Sequence, residues 1–276
     1  AYPIDIDSDG ILDLFIMRVG ENKVLKGSGG CSFGEFDESL GFTSADQWTT
    51  AFSATWESDN SLPTLAIGNY VDRLDPEGPF EACDSNYLIR PAGESYGEPI
   101  VLEPAFCPLS MLFSDWGRNG RQDLRVSNDR HYYVRGGSEQ LWAMEPTPRL
   151  YNSDDGWQDF SIWGMGIASR DISGDGRPEI FLTSMGDQKM QSPDTSVDGP
   201  AFKDATYERG TTAHRPYSGD DGRPSTGWHV EFGDVDNDGL DDVFIAKGNV
   251  EQMPSAAMTD PNNLLMQNPD GSFAEV

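Results

Sequence analysis

The chain has 276 residues, of which 47 are acidic and 19 basic, for a formal net charge of −28. A surface this negative has no basic footprint for phosphate, which excludes nucleic acid as a partner and removes any attraction to an anionic membrane. Apolar residues at 37%, with seven Trp and fourteen Phe, separate it from a disordered acidic tail and supply a sizeable core.

Thirty Gly and eighteen Pro set many tight turns between β-forming stretches, so an all-β fold is expected. No apolar run reaches the eighteen or so residues of a membrane span, so direct membrane insertion is not expected. The first element is an acidic loop: Asp5, Asp7, Asp9, Gly10, Ile11 and Asp13, running into the apolar Leu14-Phe15-Ile16. A strand over Asn22–Leu25 and a Gly-x-Phe strand over Cys31–Phe36 follow. The second unit opens on Ala51–Ala54, has a degenerate loop from Trp56 to Thr64, and continues into Leu65-Ala66-Ile67. After it, 70–108 reads as a long insertion containing Cys83 and Cys107. These two either close that stretch as a disulfide or stand as separate thiols, and Cys31 makes the count odd.

The third unit has Met111-Leu112-Phe113, then a weaker loop of Asp115, Asn119, Gly120, Arg121 and Asp123, before Leu124-Arg125-Val126. Gly117 stands there at a ligand position. In the fourth unit Gly164–Ala168 leads into Asp171, Ser173, Asp175, Gly176, Arg177 and Glu179, followed by Ile180-Phe181-Leu182. The fifth has Trp228–Phe232, then Asp234, Asp236, Asp238, Gly239, Leu240 and Asp242, then Val243-Phe244-Ile245. Asn262–Met266 and the Gly-x-Phe strand Gly271–Val276 close it.

First loop positions fall at 5, 56, 115, 171 and 234, intervals of 51, 59, 56 and 63 residues. A period of this size in an all-β chain predicts a β-propeller of four-stranded blades, with five blades countable. The repeat units are about 1–50, 51–108, 109–163, 164–226 and 227–276, all within one propeller domain or propeller fragment.

The loops are the candidate metal sites. Oxygens at positions 1, 3, 5 and 9 can converge on one centre, Gly at position 6 supplies a positive φ, and position 7 (Ile11, Arg121, Arg177 or Leu240) offers its carbonyl. Hard oxygen donors without His or Cys select Ca²⁺, and about three sites are expected, with the Asp115 copy a weaker fourth. An EF-hand does not fit. It needs Glu at position 12, where this chain has Ile16, Leu182 and Ile245, and a strand follows rather than a helix. Affinities of extracellular calcium modules, on the order of 10⁻⁴–10⁻³ M, would fill such sites outside the cytosol. An extracellular, cell-surface or periplasmic location is therefore expected.

With these loops in register, the five units resemble the FG-GAP/VCBS repeats of integrin-α-like β-propellers. The tracts Gly164–Gly176 and Phe113–Asp129 look closest to the cartilage acidic protein (ASPIC/UnbV-type) family. The resemblance implies calcium loops between the first two strands of each blade and a secreted or surface-exposed adhesion module. It also implies seven blades, against five countable here, so the chain is read as an arc of a longer ring rather than a closed five-bladed one.

No catalytic set is evident. His131 lies in an aromatic strand context, His229 in the first strand of the fifth unit, and His214 in a polar loop, with no nucleophile elbow, zinc motif or phosphate loop. The expected function is a calcium-binding interaction or adhesion module for an extracellular protein or glycan, with the 70–108 and 190–226 stretches as candidate binding surfaces. The alternative is a carbohydrate-active enzyme on the same fold, a calcium-dependent polysaccharide lyase or hydrolase, or a lectin, with Trp142, Trp157, Trp163 and Trp228 as sugar platforms.

Overall fold

The computed structural model describes residues 1–57, 60–77, 82–129, 137–185, 188–212, 226–248 and 261–276. The two His-bearing segments around His131 and His214 lie outside the described residues. The chain is all-β, a propeller-type succession of antiparallel meanders. Blade 1 is Tyr2–Ile4, Asp13–Ile16, Lys23–Gly27 and Phe33–Glu35. Blade 2 is Gln47–Thr55, Thr64–Asn69, Asn86–Ile89 and Ile100–Leu102, with the short Val19–Gly20 added at the Gln47 edge. Blade 3 is Pro108–Ser114, Asp123–Asn128, Gln140–Ala143 and Arg149–Leu150. Blade 4 is Gly164–Arg170, Glu179–Ser184, Lys189–Pro193 and Phe202–Asp204. Blade 5 is Gly227–Gly233, Asp242–Lys247, Asn263–Gln267 and Phe273–Glu275.

These positions follow the hydrophobic pattern. Second strands are deeply buried, and Thr64–Asn69, Asp123–Asn128 and Glu179–Ser184 are buried along their whole length. A strand covered on both faces needs apolar side chains at consecutive positions rather than alternate ones. The outermost strands, such as Phe33–Glu35, are short and exposed, which limits edge pairing with other chains.

By compactness the chain divides into two units, Ala1–Phe113 and Ser114–Asp129 with Ser138–Val276. In the first unit Phe15 stacks on Phe52 with ring centroids 4.0 Å apart, within a core that includes Ile6, Val24, Leu65 and Ile67. In the second, Phe181, Met190, Val230, Val243, Ile245 and Leu265 form one cluster, and Trp157 packs on Leu141, Ala143 and Tyr151 in another. Trp142 and Trp157 are thus buried, whereas Trp163 is 38% exposed.

The 70–108 stretch is not an insertion in the second unit but part of its blade. It contains the third and fourth strands of blade 2, a small hairpin of Pro91–Ala92 with Ser95–Tyr96, and a disulfide joining Cys83 to Cys107. Cys31 is exposed and free. Replacing both bridged cysteines by Ser is expected to cost about 3 kcal/mol, because the bond removes the loop-closure entropy of some 25 residues from the unfolded chain. Urea unfolding with and without the substitutions measures it; a change below about 0.5 kcal/mol would contradict the expectation.

One buried acid should govern part of the pH response. Burial pushes the Glu139 carboxyl up to about 7, against the opposing hydrogen bond from the Asn128 backbone N–H and the charge of Arg125. The folded chain then retains a proton that the unfolded chain releases, so this group's contribution to stability falls as pH rises from about 4.5 to 7. The loss is about 3 kcal/mol at most across that window. Glu139→Gln should flatten that part of the stability profile; an unchanged slope would show that other groups set it.

Candidate metal centres at the acidic loops

Each acidic loop joins the first and second strands of its blade, and its backbone is folded by its own carboxylates. The carboxylate at position 1 accepts from two successive backbone amides, at positions 5 and 6. In the first loop these bonds run from Asp9 N and Gly10 N to Asp5, at 3.0 and 2.9 Å. The same pair recurs on Asp115, Asp171 and Asp234. Position 5 accepts from the amide at position 7 in all four: Ile11 to Asp9, Arg121 to Asn119, Arg177 to Asp175 and Leu240 to Asp238, at 2.8–2.9 Å.

The turn requires Gly at position 6, where φ is +85° at Gly10 and +90° at Gly239. Position 4 is left-handed as well, a feature the spacing of acids does not reveal. Ser8, Arg118, Gly174 and Asn237 stand there, with φ between 54° and 72°.

The acid at position 9 has a different environment from the others. Asp13, Asp123, Glu179 and Asp242 are all buried. Asp13 accepts from Ile6 N at 2.9 Å and from Gly27 N, at the end of the third strand, at 2.8 Å. Asp242 repeats this with Val235 N at 3.1 Å and Gln267 N at 2.9 Å. Asp123 accepts from Met144 N, and also from the Trp116 indole, the Tyr151 hydroxyl and the Arg121 guanidinium. Glu179 accepts from Ile172 N at 3.1 Å. Position 9 therefore clamps the loop to its own sheet while one edge of the carboxylate still faces the loop.

Two loops gather three acids closely. Asp5, Asp7 and Asp13 each place an oxygen within 4.8 Å of the others, as do Asp234, Asp236 and Asp242. Asp9 and Asp238, which hold the position 7 amide, are outside these sets. In the fourth loop the Ser173 hydroxyl lies 3.5 Å from Asp171. The third loop keeps the fold of the others without a comparable group of acids among the described residues. The donors are hard oxygens throughout. Asp7 Oδ1 is a buried oxygen with no hydrogen-bond partner among the described residues, so the set suits a hard divalent cation.

Basic side chains meet these loops, and acidic spacing gives no sign of them. The Lys26 ammonium lies 2.5 Å from Asp7 Oδ2 and 2.6 Å from Asp9 Oδ2. Those two bonds hold Lys26 well above the usual lysine range, and the bonds from Lys26 and from Ile11 N hold Asp9 below the usual carboxylate range. Arg118 of the third loop donates to the Asp175 carbonyl of the fourth. Arg170 reaches Asp241 at 2.6 Å, beside the ligand positions of the fifth loop rather than on them. Lys26 has one sequence signal: it follows the third-strand residues that pair with the strand behind the loop.

Away from the loops, the first unit has a cavity of 390 Å³ edged by Asn22, Ser44, Gln47, Tyr87 and Glu98. The second unit has one of 270 Å³ walled by the rings of Trp157, Phe160 and Phe202, with Gln191, Lys189 and Asp204 on its rim. Beneath those rings Arg125 is buried, its guanidinium 5.0–5.7 Å from all three. His229 is exposed on the first strand of blade 5, with Glu231 3.7 Å from it.

No protein-family model matches this chain, and no curated protein matches it either. Among solved structures it is similar to BBS1N, crystallised in complex with ARL6DN, at 12% identity and a TM-score of 0.45, covering 99% of this chain and 88% of that one. It is also similar to an Agrocybe aegerita lectin described as recognising non-reducing terminal N-acetylglucosamine, at 12% identity and a TM-score of 0.46. That match covers 99% of this chain and 64% of the lectin.

Proposed function

We propose that this chain is a calcium-binding β-propeller module of FG-GAP/VCBS type, which holds a protein or glycan partner and carries out no chemistry of its own. The observation that carries the reading is the three-acid group Asp234-Asp236-Asp242, built on the same hydrogen-bonded loop as Asp5-Asp7-Asp13, where Lys26 already offsets part of the charge. Carboxylates brought within 4.8 Å of one another repel unless a cation offsets them, and an all-oxygen set favours Ca²⁺.

When bound, the ion would supply charge compensation and cross-link a loop to its blade. Asp234, Asp236 and Asp242 would hold it in the fifth loop, with the Leu240 carbonyl available, and Asp171, Ser173 and Glu179 in the fourth. Four such ions would move the formal charge only from −28 to −20, so most of the acidity belongs to the solvated surface. That surface and the Cys83–Cys107 bridge support a secreted, surface-exposed or periplasmic setting, where disulfides persist.

Calorimetric titration of chelator-stripped protein with Ca²⁺ tests the proposal. A saturable heat supports it, and its absence up to about 10 mM, well above the extracellular-module range, would end it. A second reading, recognition of a glycan, draws on the ring-walled cavity of Trp157, Phe160 and Phe202. Saturable binding of acidic oligosaccharides without cleavage products would favour it, and accumulation of cleavage products would make the chain an enzyme.

A further inference from the structure

We propose that Lys26 is an internal counter-ion that closes the first acidic loop, so that of the two loops that gather three acids the fifth is the one that draws its cation from solution. The inference rests on the calcium reading and deepens it.

By sequence the two loops are equivalent, with Asp at positions 1, 3, 5 and 9 in both. They share the same clasp of amides on position 1 and the same buried clamp at position 9. They differ in what the third strand presents. Leu14 pairs with Leu25, so the next step along the ladder sets Lys26 against Asp13. At that step blade 3 has Ala143, blade 4 has Ser192 and blade 5 has Met266, from the pairs Leu124–Trp142, Ile180–Gln191 and Val243–Leu265. Of the four loops, only the first therefore receives a cationic side chain from that step of its own third strand.

Lys26 is held in place. Its backbone is paired with Gly34, its ammonium lies 5.0 Å from the centre of the Phe36 ring, and it bridges Asp7 and Asp9. A calcium ion needs six to eight oxygens at about 2.3–2.6 Å, and it cannot take the Asp7 carboxylate while an ammonium stands at hydrogen-bond distance from it without strong like-charge repulsion. Entry of a metal ion to the first loop would require the lysine to rotate out. Met266 sets no such condition, and Arg170, beside the fifth loop, is engaged by Asp241, which is not one of the ligand positions.

The test is equilibrium dialysis with Ca²⁺ alone, comparing the wild-type chain with Lys26→Met and Lys26→Gln, each also in an Asp234→Asn, Asp236→Asn background that disables the fifth loop. Removing the ammonium should create one additional site, or tighten one at least tenfold, in both backgrounds, and Asp5→Asn should abolish the gain. Equal binding by wild type and both Lys26 variants would overturn the inference while leaving the calcium reading intact. A gain in the variants without any fifth-loop site in the wild type would uphold the role of Lys26 and refute the fifth loop as the primary site. No calcium bound by any protein would refute both. The glutamine variant keeps a polar tip, so agreement between the two substitutions separates loss of charge from loss of packing.

Discussion

Asp242→Ala should destabilise the protein by about 1–4 kcal/mol even with all divalent cations chelated, because two backbone donors, the buried Gln267 N and the part-buried Val235 N, lose their acceptor together. An unpaired buried amide costs about 1–3 kcal/mol, and one that water can reach costs less. Asp238→Ala is the control. Asp238 is exposed and among the described residues accepts only from Leu240 N, so its loss under chelation should cost under about 1 kcal/mol. Denaturant unfolding of the two variants in excess chelator gives the comparison. Equal effects would mean that position 9 is a ligand and nothing more, contrary to the clamp seen in blades 1 and 5.

The second large effect is the response to calcium itself. With a dissociation constant on the order of 10⁻⁴ M, 10 mM Ca²⁺ should stabilise the chain by about 2.7 kcal/mol per site. For a chain of this size that is a rise in melting temperature of several degrees. Mg²⁺ at the same concentration should do less, since it demands near-octahedral geometry and gives up its water reluctantly. Asp236→Asn should remove most of the shift, whereas Asp9→Asn should remove little, because Asp9 is already engaged by Lys26 and Ile11 N. A shift of the same size in the Asp236→Asn variant would place the ion elsewhere.

What is legible in the sequence is whatever is local. Spacing of one, three, five, six and nine within a loop depends only on neighbouring dihedrals, so Asp5, Gly10 and their counterparts can be placed from the residues alone. The strand after each loop is equally plain, because Leu14-Phe15-Ile16 or Val243-Phe244-Ile245 must be buried. Blade 2 is harder. Its loop has lost the acids, and without that marker Asn86–Ile89 and Ile100–Leu102 read as part of an insertion, although they are the blade's third and fourth strands. Its disulfide is one of two open readings of Cys83 and Cys107, since spacing alone does not decide between them.

The rest depends on register. Nothing in the acid spacing indicates that Lys26 reaches Asp7 and Asp9 from 19 and 17 residues away, or that Arg118 leaves its own loop to reach the Asp175 carbonyl. The buried clamp at position 9 is hidden for the same reason: its second donor, Gly27 or Gln267, comes from the end of another strand. Equal spacings of Asp at the first and fifth loops thus have unequal surroundings, and those surroundings are where the expected metal sites part company.

The most direct measurement is anomalous diffraction from crystals grown with calcium. A peak is expected within Asp234, Asp236 and Asp242, with six or seven oxygens at about 2.3–2.6 Å, and no peak, or a weaker one, at Asp5, Asp7 and Asp13 where Lys26 lies. Crystals that diffract well and show no peak at any acidic loop would contradict calcium binding by this chain.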